Sequence, residues 1–303
     1  MHRPEAIINI KNLEHNVNYI KQYVGNDVII MPVVKANAYG HGVVQICTAL
    51  SNFGIQGFCV ALLDEAIYLR ENGIMEKILH LGSFDYSFNK ILLDKNLILT
   101  INDKNDILFL NKIGKMNNHK FKVHIKVDTG MTRLGILKEN IQEIEDGLYL
   151  SNYIQVEGIY TQLSSADEDN QSSTLLQREN FIEISNYFCS KFDTIKFKHF
   201  TPSAGILKDK DNHFNMVRPG LSLYGINNIS KPHPLKPVLC VKAPVCLTKH
   251  VKKGVSIGYN RSFKNETDRD IAIIQIGYAD AIPLEFSNNG YVEFEGKKLN
   301  ILG

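Results

Sequence analysis

A lysine follows the first strongly apolar stretch of the chain, in a place where an amine could do chemistry. Residues 28–34 are all apolar and predict a buried strand, and Lys35 opens the segment KANAYGHG directly after it. In parallel α/β folds the carboxyl ends of the strands are where ligands bind and reactions occur. A partly desolvated amine held there is the group needed to form a Schiff base. Most single lysines, however, lie on the surface with their charge in water, so the groups predicted beside Lys35 decide its role.

Further polar groups are predicted at the ends of other strands. Arg133 lies in KVDTGMTRLG after the fifth, Ser203 in TPSAG after the seventh, and Gly220 in RPGLSLYG after the eighth. A guanidinium can clamp a carboxylate with two hydrogen bonds, and the N–H groups of a glycine-containing turn after the last two strands of a barrel are typical of a phosphate site. Each motif by itself also suits an ordinary turn or a surface ion pair. Together with the lysine, they indicate pyridoxal phosphate as the cofactor.

Alternating strands and helices must position these groups. Strands are predicted over 28–35, 57–62, 77–82, 97–101, 120–127, 155–163, 196–201 and 215–218. Helices are predicted between them, over 42–52, 63–73, 86–93, 104–114, 138–146 and 173–190. Eight strands with right-handed helical connections predict an α/β fold, a (β/α)8 TIM-type barrel over residues 1–230. Over residues 231–303 apolar and polar residues alternate between turn sequences, which predicts a second, antiparallel β domain.

Composition excludes several classes of function. A net charge of +2 over 303 residues provides no basic field for nucleic acid or a membrane surface. No apolar run approaches the length that spans a bilayer, and the polar N-terminal sequence has no signal-peptide pattern. The five cysteines have no CxxC spacing, and no paired His/Cys motif is present. We therefore expect free thiols, a cytoplasmic location and no metal site.

At this point the sequence resembles the alanine racemase family over essentially its whole length. VVKANAYGHG, KVDTGMTRLG, RPGLSLYG and IGYAD occur in the family's order, and VVKANAYGHG is highly specific. The resemblance implies that Lys35 holds pyridoxal 5'-phosphate covalently and that the enzyme interconverts L- and D-alanine. It further implies that the phosphate is bound by two side chains and two backbone N–H groups, those of Tyr39, Ser203, Gly220 and Leu221.

The resemblance also assigns the arginines and a second lysine. Arg133 would bind the substrate carboxylate, with Lys126 beside it as the family's positioning lysine. Arg218 would face the pyridine nitrogen of the cofactor. A guanidinium does not give up its proton at neutral pH, so the nitrogen facing it stays unprotonated. A carbanion would then be short-lived, which favours its reprotonation over transamination.

Racemisation needs an acid/base on each face of the Cα atom, and Lys35 serves one of them. The segment IGYNRSF resembles the family's segment around its catalytic tyrosine, which makes Tyr259 the candidate for the other face. An unperturbed tyrosine loses its proton only in strongly alkaline solution, so it needs cationic surroundings to act as a base. The family draws this tyrosine from the partner subunit, which implies a homodimer with a shared active site. The turn residues around Tyr259 would be equally typical of a structural tyrosine that packs at a hairpin, so turn composition alone does not distinguish the two roles.

The sequence departs from the family pattern in several places. Gln162 stands where the family's sixth strand carries a histidine, and glutamine cannot carry a proton between groups. Pro202 replaces an asparagine, and Asn260 replaces a glycine next to Tyr259. The family continues beyond the segment that ends at Gly303, so we expect the chain to be C-terminally truncated and its β domain to be incomplete. A sheet cut there would leave an unpaired edge.

Three interpretations follow from these observations. The leading one is a pyridoxal-phosphate alanine racemase, or a racemase for another small amino acid such as serine. The second is a catalytically impaired cofactor-binding paralogue or a fragment, which Gln162 and the expected truncation favour. The third is a decarboxylase with a related barrel, which the racemase-like RPGLSLYG motif and the missing catalytic cysteine segment disfavour.

Overall fold

The computed structural model describes residues 3–303, which form two compact units. The larger unit comprises Asn9–Val238, and the smaller comprises Leu239–Gly303 with the N-terminal residues up to Ile8. Within residues 3–303 there is no helix whose length and apolar character would let it cross a membrane.

The larger unit is built on one sheet of eight parallel strands. They are Ile29–Ile30, Gly57–Val60, Lys77–His80, Leu97–Ile101, Phe121–Lys126, Ile154–Tyr160, Phe197–His199 and Met216–Val217. The first strand pairs with the last through Ile29 and Met216. A parallel bridge from Val33 to Cys59 joins it to the second strand and closes the sheet. The predicted barrel is confirmed.

Helices surround the barrel and bury their apolar faces against it. They are Ile10–Val24, Val43–Asn52, Leu63–Glu71, Lys104–Asn117, Ile141–Tyr149, Ser172–Lys191 and the short Ser203–Lys208. The first shows why the sequence folds this way: Leu13, Val17 and Ile20 recur at helical spacing and are fully buried. Its N-terminus is capped by Asn9, whose side chain accepts the N–H of Asn12 at 3.0 Å.

Several predicted elements are shorter in the structure, and two of them have a clear physical reason. Regular pairing of the first strand ends at Ile30, because Pro32 has no N–H to donate, and only a single bridge follows at Val33. The predicted helix over 86–93 is reduced to a 3-10 turn at Lys90–Leu93. There the side chain of Asn89 accepts the N–H of Ile91 at 3.0 Å and so begins a new turn inside the predicted helix.

The smaller unit is antiparallel, as predicted. Its strands are Glu5–Ile8, Leu239–Lys242, Val245–Val251, Ser256–Ile257, Phe263–Lys264, Arg269–Ile274, Tyr291–Phe294 and Lys297–Asn300. The longest pairing joins Val245–Val251 to Arg269–Ile274. The last two strands form a hairpin whose turn residues Glu295 and Gly296 both have positive φ, 50° and 75°. The N-terminal strand pairs with Leu239–Lys242, so residues from both ends of the sequence meet in this unit.

Candidate active site

The turn that follows the first barrel strand is left-handed. Four consecutive residues that are not glycine have φ between 52° and 54°, namely Ala36, Asn37, Ala38 and Tyr39. The left-handed conformation costs an L-residue about 1–2 kcal/mol, so the surroundings must hold the turn in place. The N–H of Gly40 donates to Ala36 O at 3.0 Å, and the side chain of Asn37 accepts the N–H of Val43 at 2.8 Å. Lys35 stands at the start of this strained turn.

A polar cradle forms where the seventh and eighth strands end. The hydroxyl oxygen of Ser203 accepts the N–H of Gly220 at 2.8 Å and that of Ser222 at 3.1 Å. Since both lone pairs are used, Ser203 keeps its own hydroxyl proton for donation. The Tyr39 hydroxyl lies over Gly220, where an added Cβ would come within 2.9 Å of it. Residues that the sequence places far apart, Tyr39, Ser203 and Gly220, therefore meet in one cradle.

These groups fit the phosphate of pyridoxal phosphate. The Ser222 hydroxyl beside Ser203 is fully buried and has no hydrogen-bond partner within residues 3–303. Buried hydroxyls without a partner are uncommon, and an anion with several acceptor oxygens would satisfy them. Glycine at position 220 keeps the cradle open, since any larger residue would press on Tyr39. Burial, together with the nearby Cys59 and Glu65, raises the pKa of Tyr39 and so keeps its hydroxyl protonated as a donor.

Arg218 is buried at the end of the eighth strand and held from several sides. Its Nη2 donates to Thr161 O at 2.8 Å and to the side chain of Gln162 at 3.3 Å, while Nη1 donates to His199 Nδ1. Its guanidinium carbon lies 5.0 Å from the ring centroid of Tyr160. The ring of Tyr160 in turn stacks on His199 at 4.6 Å and 5°. These contacts fix the plane of the guanidinium.

The contact with Arg218 determines the proton positions on two buried histidines. Because Arg218 can only donate, His199 Nδ1 must accept, and the proton of the neutral ring lies on Nε2. That Nε2–H donates to His124 Nδ1 at 2.8 Å, which places the second ring's proton on its own Nε2. Burial and, after it, the Arg218 charge lower the pKa of both rings, that of His124 to about 3. Both histidines are therefore neutral supports of Arg218.

Positive charge is concentrated around Lys126. Burial first, and then the charges of Arg133, Arg218 and Lys35, lower the pKa of this amine to about 8, whereas Asp128 raises it. Lys126 Nζ lies 5.6 Å from the ring centroid of Tyr160. The structure thus brings three of the predicted site residues near one buried lysine, which suits an anionic substrate group.

Arg133 is exposed and its guanidinium is without a hydrogen-bond partner within residues 3–303. Its loop is ordered by Asp128, whose carboxylate accepts the N–H groups of Gly130, Thr132 and Arg133 at 2.9, 3.0 and 3.2 Å. The side chain borders a cavity of about 280 Å³ together with Asn102 and Lys104. A cation held on an ordered loop in this way is free to bind a carboxylate.

Tyr259 belongs to the smaller unit and its side chain is 83% exposed. It lies in a tight turn in which Gly258 and Asn260 have φ of 80° and 54°. The replacement of the family's glycine by Asn260 is compatible with this turn, because asparagine tolerates left-handed φ better than most residues. The role of Tyr259 stays a prediction.

Sequence reasoning missed three residues that shape the site. His124 and His199 are predicted only as parts of strands, yet they support Arg218 through successive hydrogen bonds. Glu65 is predicted only as a helix residue, yet its carboxylate accepts the N–H of Ala36 at 2.6 Å. The alternation of buried residues along the strands could have predicted that the two histidines are buried. No pattern in the sequence near Glu65 predicts its contact with the turn after Lys35.

The chain matches two family models that together cover most of its length. The model for the alanine racemase N-terminal domain matches residues 8–228, and that for the alanine racemase C-terminal domain matches residues 238–303. The chain belongs to the alanine racemase family. The resemblance inferred from VVKANAYGHG and the other motifs is thereby confirmed.

Similar proteins agree with this family. The chain is 36% identical to an alanine racemase of Carboxydothermus hydrogenoformans, over 98% of this chain and 82% of the relative. It is 38% identical to one of Halothermothrix orenii, over 98% of this chain and 79% of the relative.

Solved structures of alanine racemases share the fold. The enzyme of Clostridium difficile 630 superposes with a TM-score of 0.90 at 33% identity, over 100% of this chain and 80% of that one. The enzyme of Bartonella henselae, solved with covalently bound pyridoxal phosphate, gives a TM-score of 0.88 at 31% identity, over 100% of this chain and 83% of that one.

Proposed function

We propose that this protein interconverts L- and D-alanine with pyridoxal 5'-phosphate as its cofactor, using Lys35 and Tyr259 as the two acid/base groups. The observation that carries the proposal is the cradle of Tyr39, Ser203 and Gly220 beside the buried Arg218, in an alanine racemase fold. Lys35 begins the strained turn that ends at Tyr39, whose hydroxyl forms part of the cradle.

The residues of the barrel would hold the cofactor as follows. Lys35 attaches it through its amine, while Tyr39, Ser203 and the N–H groups of Gly220 and Leu221 bind its phosphate. When bound, pyridoxal phosphate draws electrons from the substrate Cα and makes its proton acidic.

Arg218 controls what happens to the Cα atom after its proton has left. The guanidinium keeps its protons at neutral pH, and His199, Thr161 and Gln162 hold it in one orientation. It would therefore donate a hydrogen bond to the pyridine nitrogen of the bound cofactor and would not exchange a proton with it. This limits how long negative charge persists on the substrate and favours return of a proton to Cα over transamination.

Two groups move the protons. The Nζ atom of Lys35 takes or returns the proton on one face of Cα, and the hydroxyl of Tyr259 does so on the other. We propose that Tyr259 comes from a partner subunit, so that the active enzyme is a homodimer with shared sites. The 83% exposure of its side chain in the single chain supports this arrangement.

The remaining assignments complete the proposal. The larger unit, Asn9–Val238, would form the cofactor-binding domain, and the smaller unit would form the domain that presents Tyr259. Arg133 would bind the substrate carboxylate, aided by the positive charge around Lys126. We propose a cytoplasmic enzyme of D-alanine biosynthesis that binds neither nucleic acid nor membrane.

Reconstitution and a stereospecific assay test the proposal. The protein incubated with pyridoxal phosphate should gain a visible absorption band, and borohydride should fix the cofactor on the peptide that contains Lys35. L-Alanine should then be converted to a mixture of both enantiomers. A protein that gains the band but converts neither enantiomer would be a cofactor-binding paralogue, and one that gains no band would overturn the whole proposal.

Arg133→Lys is expected to raise the KM for alanine or slow its turnover by roughly 10- to 100-fold, because lysine keeps the charge but loses the two-point grip on the carboxylate. Cofactor absorbance should be unchanged. Steady-state kinetics in both directions measure the effect, and Arg178→Lys on the helix Ser172–Lys191 is the matched control. Kinetics equal to those of the unmodified enzyme would leave Arg133 as a surface residue.

A further inference from the structure

The carboxylate of Glu65 connects the ends of two barrel strands. Its Oε1 accepts the N–H of Ala36 at 2.6 Å, and its Oε2 accepts the N–H groups of Ala61 and Leu62 at 2.8 and 3.1 Å. Ala36 directly follows Lys35, whereas Ala61 and Leu62 follow the second strand. One side chain therefore ties the turn that carries Lys35 to the neighbouring strand end.

Helix capping accounts for two of these three contacts. Glu65 is the third residue of the helix Leu63–Glu71, and a side chain at that position commonly binds the N–H groups just before the helix. The Oε2 atom does this. The bond from Ala36 to Oε1 spans 29 residues of sequence and contributes nothing to the cap.

The Ala36 amide has no alternative acceptor in the turn. The N–H of Ala38 donates to Val34 O at 2.8 Å, and that of Gly40 donates to Ala36 O at 3.0 Å. Ala36 is the first of the left-handed residues, so the orientation of the peptide between Lys35 and Ala36 sets where the turn begins. Because that peptide also determines the backbone angle ψ of Lys35, fixing it fixes the direction in which the lysine side chain leaves the chain.

We propose that Glu65 is a positioning residue for Lys35: it holds the Lys35–Ala36 peptide so that the amine is presented to the cofactor and the substrate in one orientation. The inference rests on the proposed role of Lys35. All three hydrogen bonds of Glu65 within residues 3–303 are to backbone N–H groups, so its proposed effect on Lys35 runs through the backbone of the turn.

Another helix of this chain shows which substitution of Glu65 should keep the helix cap but lose the contact with Ala36. Helix Lys104–Asn117 has an aspartate, Asp106, at the equivalent position, and its shorter side chain caps the N–H groups of Asn102 and Asp103 at 2.7 and 3.4 Å. Glu65→Asp should therefore keep the cap on Ala61 and Leu62 but fail to reach Ala36. Glu65→Gln offers one acceptor oxygen in place of two and serves as the second variant. Asp64→Asn, which removes an exposed charge one residue away, is the control.

Hydrogen exchange of the cofactor-free protein is the first measurement. The Ala36 amide should exchange about tenfold faster or more in Glu65→Asp than in the unmodified chain or in Asp64→Asn, since its acceptor is lost. It should also exchange faster in Glu65→Gln, because the one acceptor oxygen of glutamine cannot serve both Ala36 and the helix cap. Borohydride-fixable uptake of pyridoxal phosphate on Lys35 should slow by about tenfold, and kcat should fall by a similar factor with KM for alanine nearly unchanged.

The outcomes distinguish this inference from the proposed function. Normal exchange at Ala36 and normal uptake in Glu65→Asp would show that Glu65 is only a helix cap and would overturn the inference. If Glu65→Asp does not fold, Glu65→Gln decides by the same measurements. Failure of the unmodified protein to take up pyridoxal phosphate would refute the role of Lys35, whereas the exchange comparison would still report on the contact between Glu65 and Ala36.

Discussion

Lys35→Ala is expected to lower alanine racemisation by about 10³-fold or more in both directions, because the variant loses both its covalent hold on the cofactor and one acid/base group. Pyridoxal phosphate should still bind, since the cradle of Tyr39, Ser203 and Gly220 does not include the lysine side chain. The measurement is the rate of conversion of each enantiomer, together with the amount of cofactor retained on gel filtration before and after borohydride treatment.

The matched control for this variant is Lys115→Ala, which removes an exposed lysine near the end of the helix Lys104–Asn117. It should racemise alanine normally, and borohydride should fix its cofactor. Cofactor fixed by borohydride in Lys35→Ala, or more than a tenth of the racemase activity remaining, would move the covalent site to another lysine. Lys126 would be the first to examine, since burial and the neighbouring positive charges lower the pKa of its amine to about 8.

Tyr259→Phe should abolish racemisation, with a loss of about 10³-fold, while leaving proton exchange at Cα for one enantiomer. The two acid/base groups serve opposite faces, so removing the hydroxyl leaves Lys35 able to exchange the proton on its own face. By the family resemblance this should be the proton of D-alanine. Deuterium incorporation from heavy water into D- and L-alanine, followed separately, measures the two faces.

Tyr291→Phe provides the control for this variant, because Tyr291 is a 53% exposed tyrosine of the same unit. It should leave both exchange rates unchanged. If Tyr259→Phe loses exchange for both enantiomers to the same extent, the split of roles between Lys35 and Tyr259 is refuted. Mixing Tyr259→Phe with Lys35→Ala protein tests the proposed homodimer, since exchange of subunits should restore racemisation at sites that combine an intact Lys35 with an intact Tyr259.

Much of the site could be predicted because its parts are local. The apolar runs over 57–62 and 97–101 define buried strands, and the direction of each strand tells which end carries the loops with Lys35, Arg133 and Ser203. RPGLSLYG likewise predicts a turn with free N–H groups. A sheet of eight parallel strands that closes on itself forms a barrel and brings these ends together, as the structure shows.

Other features depend on contacts between residues distant in the sequence, and only the tertiary structure decided them. The left-handed turn from Ala36 to Tyr39 contains no glycine, and Asn37 is its only residue of a type that favours left-handed φ, so the sequence does not predict the turn. It is held by Glu65, 29 residues further on.

The proton positions on His124 and His199 follow from Arg218, and the two rings are 75 residues apart in the chain. The sequence determined which groups would stand at the active end of the barrel, since strand patterns are periodic and local. The orientation of those groups was decided by hydrogen bonds across the barrel. A buried donor must pair with an acceptor, and only the folded chain determines which acceptors lie close to it.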